Sequence, residues 1–252
     1  MMLLETNNLT KQFGELTAVD EISLQIEEGD SLSIIGPNGA GKSTTVNLIT
    51  GLLKPTRGSV YLHGEEITGE DPHDIVQRGL SKSFQTASIF PELTVKRNAI
   101  VAALGAEHGS FSLNFLKRLV DYDDVIERAD RTLRDMGLYE QRHLEAQSLP
   151  YGDKRRLEMA LALASDPELL FLDEPTAGMS PDETDETVDL IERIKEERGI
   201  TIVLIEHDME IIFRVSDRIA VLNRGAKIAD GTPDEIRGDP DVQEAYLGGV
   251  DI

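Results

Sequence analysis

An α/β fold, built as a strand-and-helix core interrupted by a mainly helical insertion, is predicted for this 252-residue chain by three observations. Short apolar strands recur near the start of the sequence and again after about residue 169. A glycine-rich turn, GPNGAGKST at residues 36–44, stands between one of these strands and a helical pattern. From about Asp71 to Ala164 the apolar residues fall instead at helical spacings of three and four. Strands alternating with helices imply a largely parallel sheet.

The elements follow in order. SLQIEE alternates as a strand with one wet face, and SLSIIG is a short apolar run ended by glycine. GSVYLHGEEI reads as a strand and a turn. VIERADRTLRDMGL and KRRLEMALALA carry the helical periodicity. LLFLDE and TIVLIEH are buried strands, with ETVDLIERIKEERG a helix between them that Gly199 stops. RIAVLN and AKIADG read as a hairpin. The segment 105–124, GAEHGSFSLNFLKRLVDYDD, has two readings: Phe111, Phe115 and Leu116 pack on the helical part or present a contact surface. There are no internal repeats and no low-complexity segments.

The composition narrows the function. Asp and Glu outnumber Lys and Arg 47 to 25, a net charge of −22. A surface so acidic argues against non-specific binding to nucleic acid or anionic lipid. It suits a cell with high internal salt, where carboxylate repulsion is screened. The absence of cysteine excludes disulfides, thiolate metal sites and a cysteine nucleophile. MMLLETNN has no basic start or long apolar stretch, and no run approaches the roughly 18 apolar residues of a membrane span. The expectation is a soluble intracellular protein whose link to any membrane runs through a partner.

GPNGAGKST fits G-x-x-x-x-G-K-[ST] after a strand and before a helix, the context of a P-loop. Its residues Gly36, Pro37, Asn38, Gly39, Ala40, Gly41, Lys42, Ser43 and Thr44 are the candidate nucleotide-binding set. The glycines let backbone N–H groups converge on phosphate oxygens, and the helix N-terminus adds its positive dipole end. Lys42 reaches the β- and γ-phosphates, and Ser43 offers a hydroxyl to Mg²⁺. LLFLDE supplies the matching half. Asp173 at the strand end can hold Mg²⁺ through water, and Glu174 can orient and deprotonate an attacking water. Capping of the following turn is the plainer role for Glu174.

The P-loop, helical insertion, LPYGDKRRLEMALALA, LFLDEPTAG and IEHD together resemble the ATP-binding subunits of ABC transporters, over essentially the whole chain. The resemblance implies a P-loop, RecA-like ABC ATPase core of residues 1–84 and 165–252 in a single domain, with an inserted helical subdomain of 85–164. It implies ATP and Mg²⁺ as ligands. Phe13 occupies the place of the aromatic that stacks on adenine, or is an ordinary core phenylalanine. Gln85, in SFQT, matches the glutamine that touches Mg²⁺ and the water and lies near the membrane partner; a surface glutamine is the alternative. His207, 33 residues beyond Glu174, matches the histidine that contacts the γ-phosphate, or is structural. Ser180 stands where many members have an aspartate facing the partner subunit; its hydroxyl can hydrogen-bond there without a charge.

In this family two subunits meet face to face, and each ATP lies between one P-loop and the other subunit's signature, usually Leu-Ser-Gly-Gly-Gln. Here the signature reads Leu149-Pro150-Tyr151-Gly152-Asp153. Pro150 has neither a hydroxyl nor a backbone N–H to donate, but it suits a helix start. The N–H groups of Tyr151, Gly152 and Asp153 remain for a γ-phosphate. Lys154, Arg155 and Arg156 offset Asp153 or form a solvated helix face.

YG-x-x-RRLE, AGMSP, LIEHDM, FPELTV with its long insertion, and GTPDEIRGDPDVQEAYLG resemble the branched-chain amino-acid importer branch. That implies ATP hydrolysis driving uptake of branched-chain or related amino acids. The implied partners are a second ATP-binding subunit, often a paralogue, membrane permease subunits, and an external solute-binding protein reached through them. The implied location is the cytoplasmic face of the cell membrane. Three rivals share the short form: an ATPase of a lipid or lipopolysaccharide exporter, a non-transport ABC protein of iron–sulfur assembly or DNA repair, and an ATP-gated docking module without turnover.

Overall fold

The structure, a computed structural model, describes residues 1–83, 89–108 and 123–247. The chain forms two compact units, Met1–Ile75 with Ile200–Ile252, and Val76–Gly199.

The first unit opens with an antiparallel hairpin of β1 (Met2–Phe13) and β2 (Leu16–Glu27). The sequence reading singles out only part of β2. β1 escaped it because its apolar alternation breaks where the register shifts, around Asn8 at φ 48°. β3 (Ser31–Ile35) is buried at every position and leads through the P-loop into α1 (Lys42–Ile49). Burial on both faces explains why SLSII is nearly continuous in apolar residues. β4 (Arg57–Leu62) pairs with β1, and β5 (Glu65–Glu66) returns on it through His63-Gly64, both at positive φ as a tight hairpin turn requires. The resulting antiparallel sheet has the order β2-β1-β4-β5. α2 (Pro72–Gln77) follows.

The second unit contains β6 (Leu80–Lys82), which pairs in parallel with β7 (Leu169–Asp173), Leu80 opposite Leu169. The stretch from Asp71 is therefore not uniformly helical. Three residues are too few for periodicity to register, and only the pairing with a strand almost ninety positions away makes them extended. Helices α3 (Val95–His108), α4 (Asp123–Asp135) and α5 (Tyr151–Leu163) carry the expected helical pattern. Asn98, 1% exposed, holds the loop before α3: its carbonyl accepts from the Phe90 N–H and its amide donates to the carbonyls of Phe90, Leu93 and Thr94. α6 (Pro181–Arg198) stops at Gly199, φ 64°, as expected. Arg193 and Arg198 tie its far end to Asp135 of α4. Phe111, Phe115 and Leu116 lie outside the described residues.

The first unit resumes with β8 (Thr201–Ile205), α7 (Met209–Val215), the expected hairpin β9 (Arg218–Asn223) and β10 (Ala226–Gly231), then α8 (Pro233–Gly238) and α9 (Pro240–Leu247). β3 lies between β8 and β9, parallel to both, and β10 adds antiparallel to β9. This arrangement aims the C-terminal end of β3 at the P-loop. Among the described residues no helix is long and apolar enough to cross a membrane.

Candidate active site

The P-loop is shaped by crowding as well as by glycine's freedom. Gly36 has φ 149°, and a Cβ there would lie 2.1 Å from the Leu222 carbonyl oxygen. At Gly41, φ 100°, a Cβ would lie 2.6 Å from the Ala18 carbonyl oxygen. Only glycine fits either place without moving backbone. The Ala40 carbonyl accepts from the Gly225 N–H at 3.0 Å, which ties the loop to the turn after β9.

Lys42, 7% exposed, curls under the loop and donates from Nζ to the carbonyls of Gly36 at 2.6 Å and Pro37 at 3.2 Å. Gly41, the N-cap of α1, provides no side-chain cap, so the first-turn N–H groups of the helix are open to an anion. Asn38, Gly39 and Ser43 are exposed, Pro37 and Thr44 half-buried. Phe13 is 48% exposed at the end of β1, with the Lys11 ammonium 5.2 Å above its ring, so it is not a core residue. His207 is exposed just after β8; its N–H donates at 3.1 Å to the carboxylate of Glu206, which is buried. Asp208 caps α7 by accepting from the Glu210 N–H. Local capping thus sets where His207 stands.

In the second unit, Asp173 is 4% exposed at the end of β7. Its Oδ2 lies 3.1 Å from the Lys82 ammonium, and its N–H donates to Ser83 Oγ at 3.4 Å. Its Oδ1 is buried without a hydrogen-bond partner. That orphaned oxygen on a carboxylate is a fit for a hydrated divalent cation. Glu174 follows at φ 50°, a left-handed conformation that costs a non-glycine residue about 1–3 kcal/mol and is commonest at functional sites. Gln85 lies outside the described residues.

The signature segment departs from expectation in its side chains. Pro150 is the N-cap of α5, at φ −55° and ψ 162°, and gives no side-chain cap, so the N–H groups of Tyr151, Gly152 and Asp153 begin the helix uncapped by side chains. Asp153 is held by Gln141 at 3.0 Å, with Arg156 3.9 Å away. The basic run is not a solvated face. Arg155 pairs with Glu158 at 2.9 Å and Arg156 with Glu186 at 2.6 Å, all but Glu186 largely buried. Burial pushes the Glu158 carboxyl above the ordinary range, against the pull of Arg155.

Tyr151 has a use that its sequence position did not signal. Its hydroxyl donates to the Ala177 carbonyl at 3.1 Å and accepts from Arg155 Nε at 3.1 Å, and its ring lies against Gly178. The start of α5 therefore rests on the turn after Glu174. Ser180 is also engaged within the chain: its hydroxyl and N–H form a capping box with Glu183 at the start of α6. That box holds the Glu183 carboxyl below its ordinary range, through the Ser180 backbone first and its hydroxyl second. The hydroxyl expected to face a partner is already a helix cap. Lys82, Ser83 and Glu206, like the hydroxyl contacts of Tyr151, were not singled out from sequence, because their partners are set by packing or by backbone direction.

The sequence profile described as ABC transporter matches residues 19–177, well over half of the chain. The chain belongs to the ABC transporter ATP-binding subunits. A second profile, described as branched-chain amino acid ATP-binding cassette transporter, matches residues 226–252. The subunit is 42% identical to the high-affinity branched-chain amino acid transport ATP-binding protein BraF of Pseudomonas aeruginosa, over 98% of each chain. It is 41% identical to the corresponding protein LivG of Salmonella typhimurium, again over 98% of each. The crystal structure of the ADP conformation of an ATP-binding cassette from an ABC transporter superposes with a TM-score of 0.87 at 33% identity, covering 98% of this chain and 99% of that one. The subunit is accordingly an ATP hydrolase on an ABC cassette fold.

Proposed function

We propose that this subunit energises the uptake of branched-chain or related amino acids through a membrane importer. The observation that carries the reading is the match of residues 226–252, outside the shared ATPase region, to the branched-chain type. Nothing favours the exporter, non-transport or docking alternatives.

In this reading the RecA-like core is residues 1–84 and 165–252 and the helical subdomain 85–164. The N–H groups of Gly36 to Thr44 take the phosphates, and Phe13, well exposed, stacks on adenine. Lys42 exchanges its two carbonyl acceptors for β- and γ-phosphate oxygens. Ser43, Asp173 and Gln85 hold Mg²⁺, the orphaned Oδ1 of Asp173 being the supporting observation. When bound, the ion neutralises charge developing between the β- and γ-phosphates. Glu174 takes the proton of the attacking water, its left-handed backbone turning it away from the line of β7. His207 contacts the γ-phosphate. In a face-to-face dimer, the N–H groups of Tyr151, Gly152 and Asp153 receive the γ-phosphate bound by the other subunit.

The partners are a second ATP-binding subunit, a paralogue in this branch, and the permeases, with a solute-binding protein beyond them. The subunit then sits peripherally on the cytoplasmic face of the membrane. Glu174→Gln tests the chemistry: turnover is abolished while ATP stays bound, and unchanged turnover removes Glu174 as the base. Uptake of labelled leucine in a strain lacking this chain tests the transport role, and wild-type uptake there overturns it.

A further inference from the structure

The last residue of β6 delivers a cation to the end of β7. In the parallel pairing Lys82 lies opposite Phe171. Side chains alternate faces along a strand, so Phe171 and Asp173 share the face that Lys82 presents. The Lys82 ammonium meets Asp173 Oδ2 at 3.1 Å, with both side chains largely buried. The chain keeps this register just past β6: the Ser83 N–H donates to the Phe171 carbonyl at 2.8 Å, and the Asp173 N–H donates to Ser83 Oγ at 3.4 Å. The second oxygen of Asp173, Oδ1, is buried and has no hydrogen-bond partner among the described residues. The carboxylate thus offers two unlike oxygens, one matched to a resident cation and the other open.

This asymmetry bears on what the carboxylate accepts. A cation beside a carboxylate weakens its hold on a proton by about ten- to a thousandfold, and an incoming divalent ion meets the same repulsion with a greater charge. A bare divalent cation therefore gains little at Oδ1, because Lys82 already neutralises the group and repels the newcomer. A cation carried on a nucleoside triphosphate arrives differently. The phosphates carry more negative charge than one divalent cation cancels, so the complex as a whole is attracted to an ammonium. Magnesium also keeps several of its waters when bound, and a single carboxylate oxygen can hold one of them.

We propose that Lys82 is a positioning residue that makes cation binding at Asp173 conditional on nucleotide: its ammonium excludes a bare divalent cation and leaves Oδ1 for the ion that a nucleoside triphosphate brings. The proposal rests on the reading of Asp173 as a metal-holding residue. In this role Lys82 acts through Asp173 and need touch neither metal nor nucleotide. The charge of Lys82 is what matters, so an uncharged donor in its place keeps the hydrogen bond to Oδ2 and loses the discrimination.

In the test, Mn²⁺, a paramagnetic stand-in for Mg²⁺, is titrated into the full chain and followed by electron paramagnetic resonance, without nucleotide and with a non-hydrolysable ATP analogue. Lys82→Gln keeps a donor for Oδ2 and removes the charge, so it does not strand the carboxylate; Lys82→Arg keeps the charge. Expected without nucleotide is a Mn²⁺ site in Lys82→Gln that binds about tenfold or more tightly than in the wild type. Lys82→Arg behaves as the wild type. Adding Asp173→Asn to Lys82→Gln abolishes the gain and controls for binding by surface carboxylates. A ligand of the native state raises the thermal midpoint, so nucleotide-free Mn²⁺ is expected to raise that of Lys82→Gln more than that of the double variant. Nucleotide-free binding that is unchanged in Lys82→Gln, or a gain that survives Asp173→Asn, overturns the proposal. The analogue separates the two levels. If Asp173→Asn leaves Mn²⁺ binding with the analogue intact, the reading of Asp173 itself fails; if it weakens that binding while Lys82→Gln gains no nucleotide-free site, only the role of Lys82 fails.

Discussion

Replacing Lys82 with methionine isolates the electrostatics at the end of β7. The Lys82 ammonium lies 3.1 Å from Asp173 Oδ2, with the two side chains 9% and 3% exposed. At an effective dielectric constant of about 20, opposite charges at that distance attract by about 5 kcal/mol before desolvation is counted. Methionine keeps the apolar stem and removes the charge. Asp173 is then a buried carboxylate with no cation on Oδ2 and no hydrogen bond on Oδ1. Removing one member of a buried pair in this way costs about 3–5 kcal/mol. In a chain of this length that lowers the thermal midpoint by about 6–20 °C. Thermal unfolding of Lys82→Met, Asp173→Asn and the double variant forms a cycle. The double variant has no charge to strand, so it is expected to recover about 2 kcal/mol or more of the summed single losses. Strictly additive losses, with a coupling under about 0.5 kcal/mol, refute the buried pair as the reason Lys82 is there.

Pro150→Ser places a hydroxyl acceptor at the N-cap of α5; it is expected to stabilise the helix by about 1 kcal/mol and to raise ATPase turnover at the partner's site in the assembled complex. An unchanged rate there shows that the N–H groups of Tyr151 to Asp153 already suffice. Ser180→Ala removes half of the capping box and lowers the thermal midpoint at pH 7. Because the Glu183 carboxyl is depressed in the folded chain, its contribution is present above the ordinary 4.5 and is lost as pH falls below it, so the deficit narrows on acidification. A deficit independent of pH between 3 and 7 contradicts this. Burial raises the Tyr246 phenol from 10.0 to about 12, so the folded form holds that proton more tightly; the contribution is complete below pH 10 and is lost as pH rises through about 12. Urea midpoints of the wild type are expected to fall further across that window than those of Tyr246→Phe, and parallel decline rules out the buried phenol.

Much of this protein was legible in residue order, for a physical reason. A P-loop, a buried strand ending in Asp173, and the stop of α6 at Gly199 are each fixed by neighbours within a few positions. Their turn geometry, capping and apolar period therefore appear in a short window of sequence. The departure at Pro150 was equally visible. Its consequence was not, because Tyr151 beside it reaches the Ala177 carbonyl 26 residues later. The fate of the Ser180 hydroxyl was readable from Ser-x-x-Glu, yet family resemblance pointed outward while the local rule pointed inward, and the local rule holds.

The sequence by itself determined the ATPase family, the short apolar strand β3 and the glycine-rich turn that opens α1, since these depend on local backbone chemistry. Only the tertiary structure decided the pairing of β6 with β7, the Lys82–Asp173 ion pair and the packing of Tyr246 on the cluster around Ile35. Each joins positions some 90 to 210 residues apart, and no rule of spacing along a chain predicts which distant groups a packed core will bring within hydrogen-bonding distance.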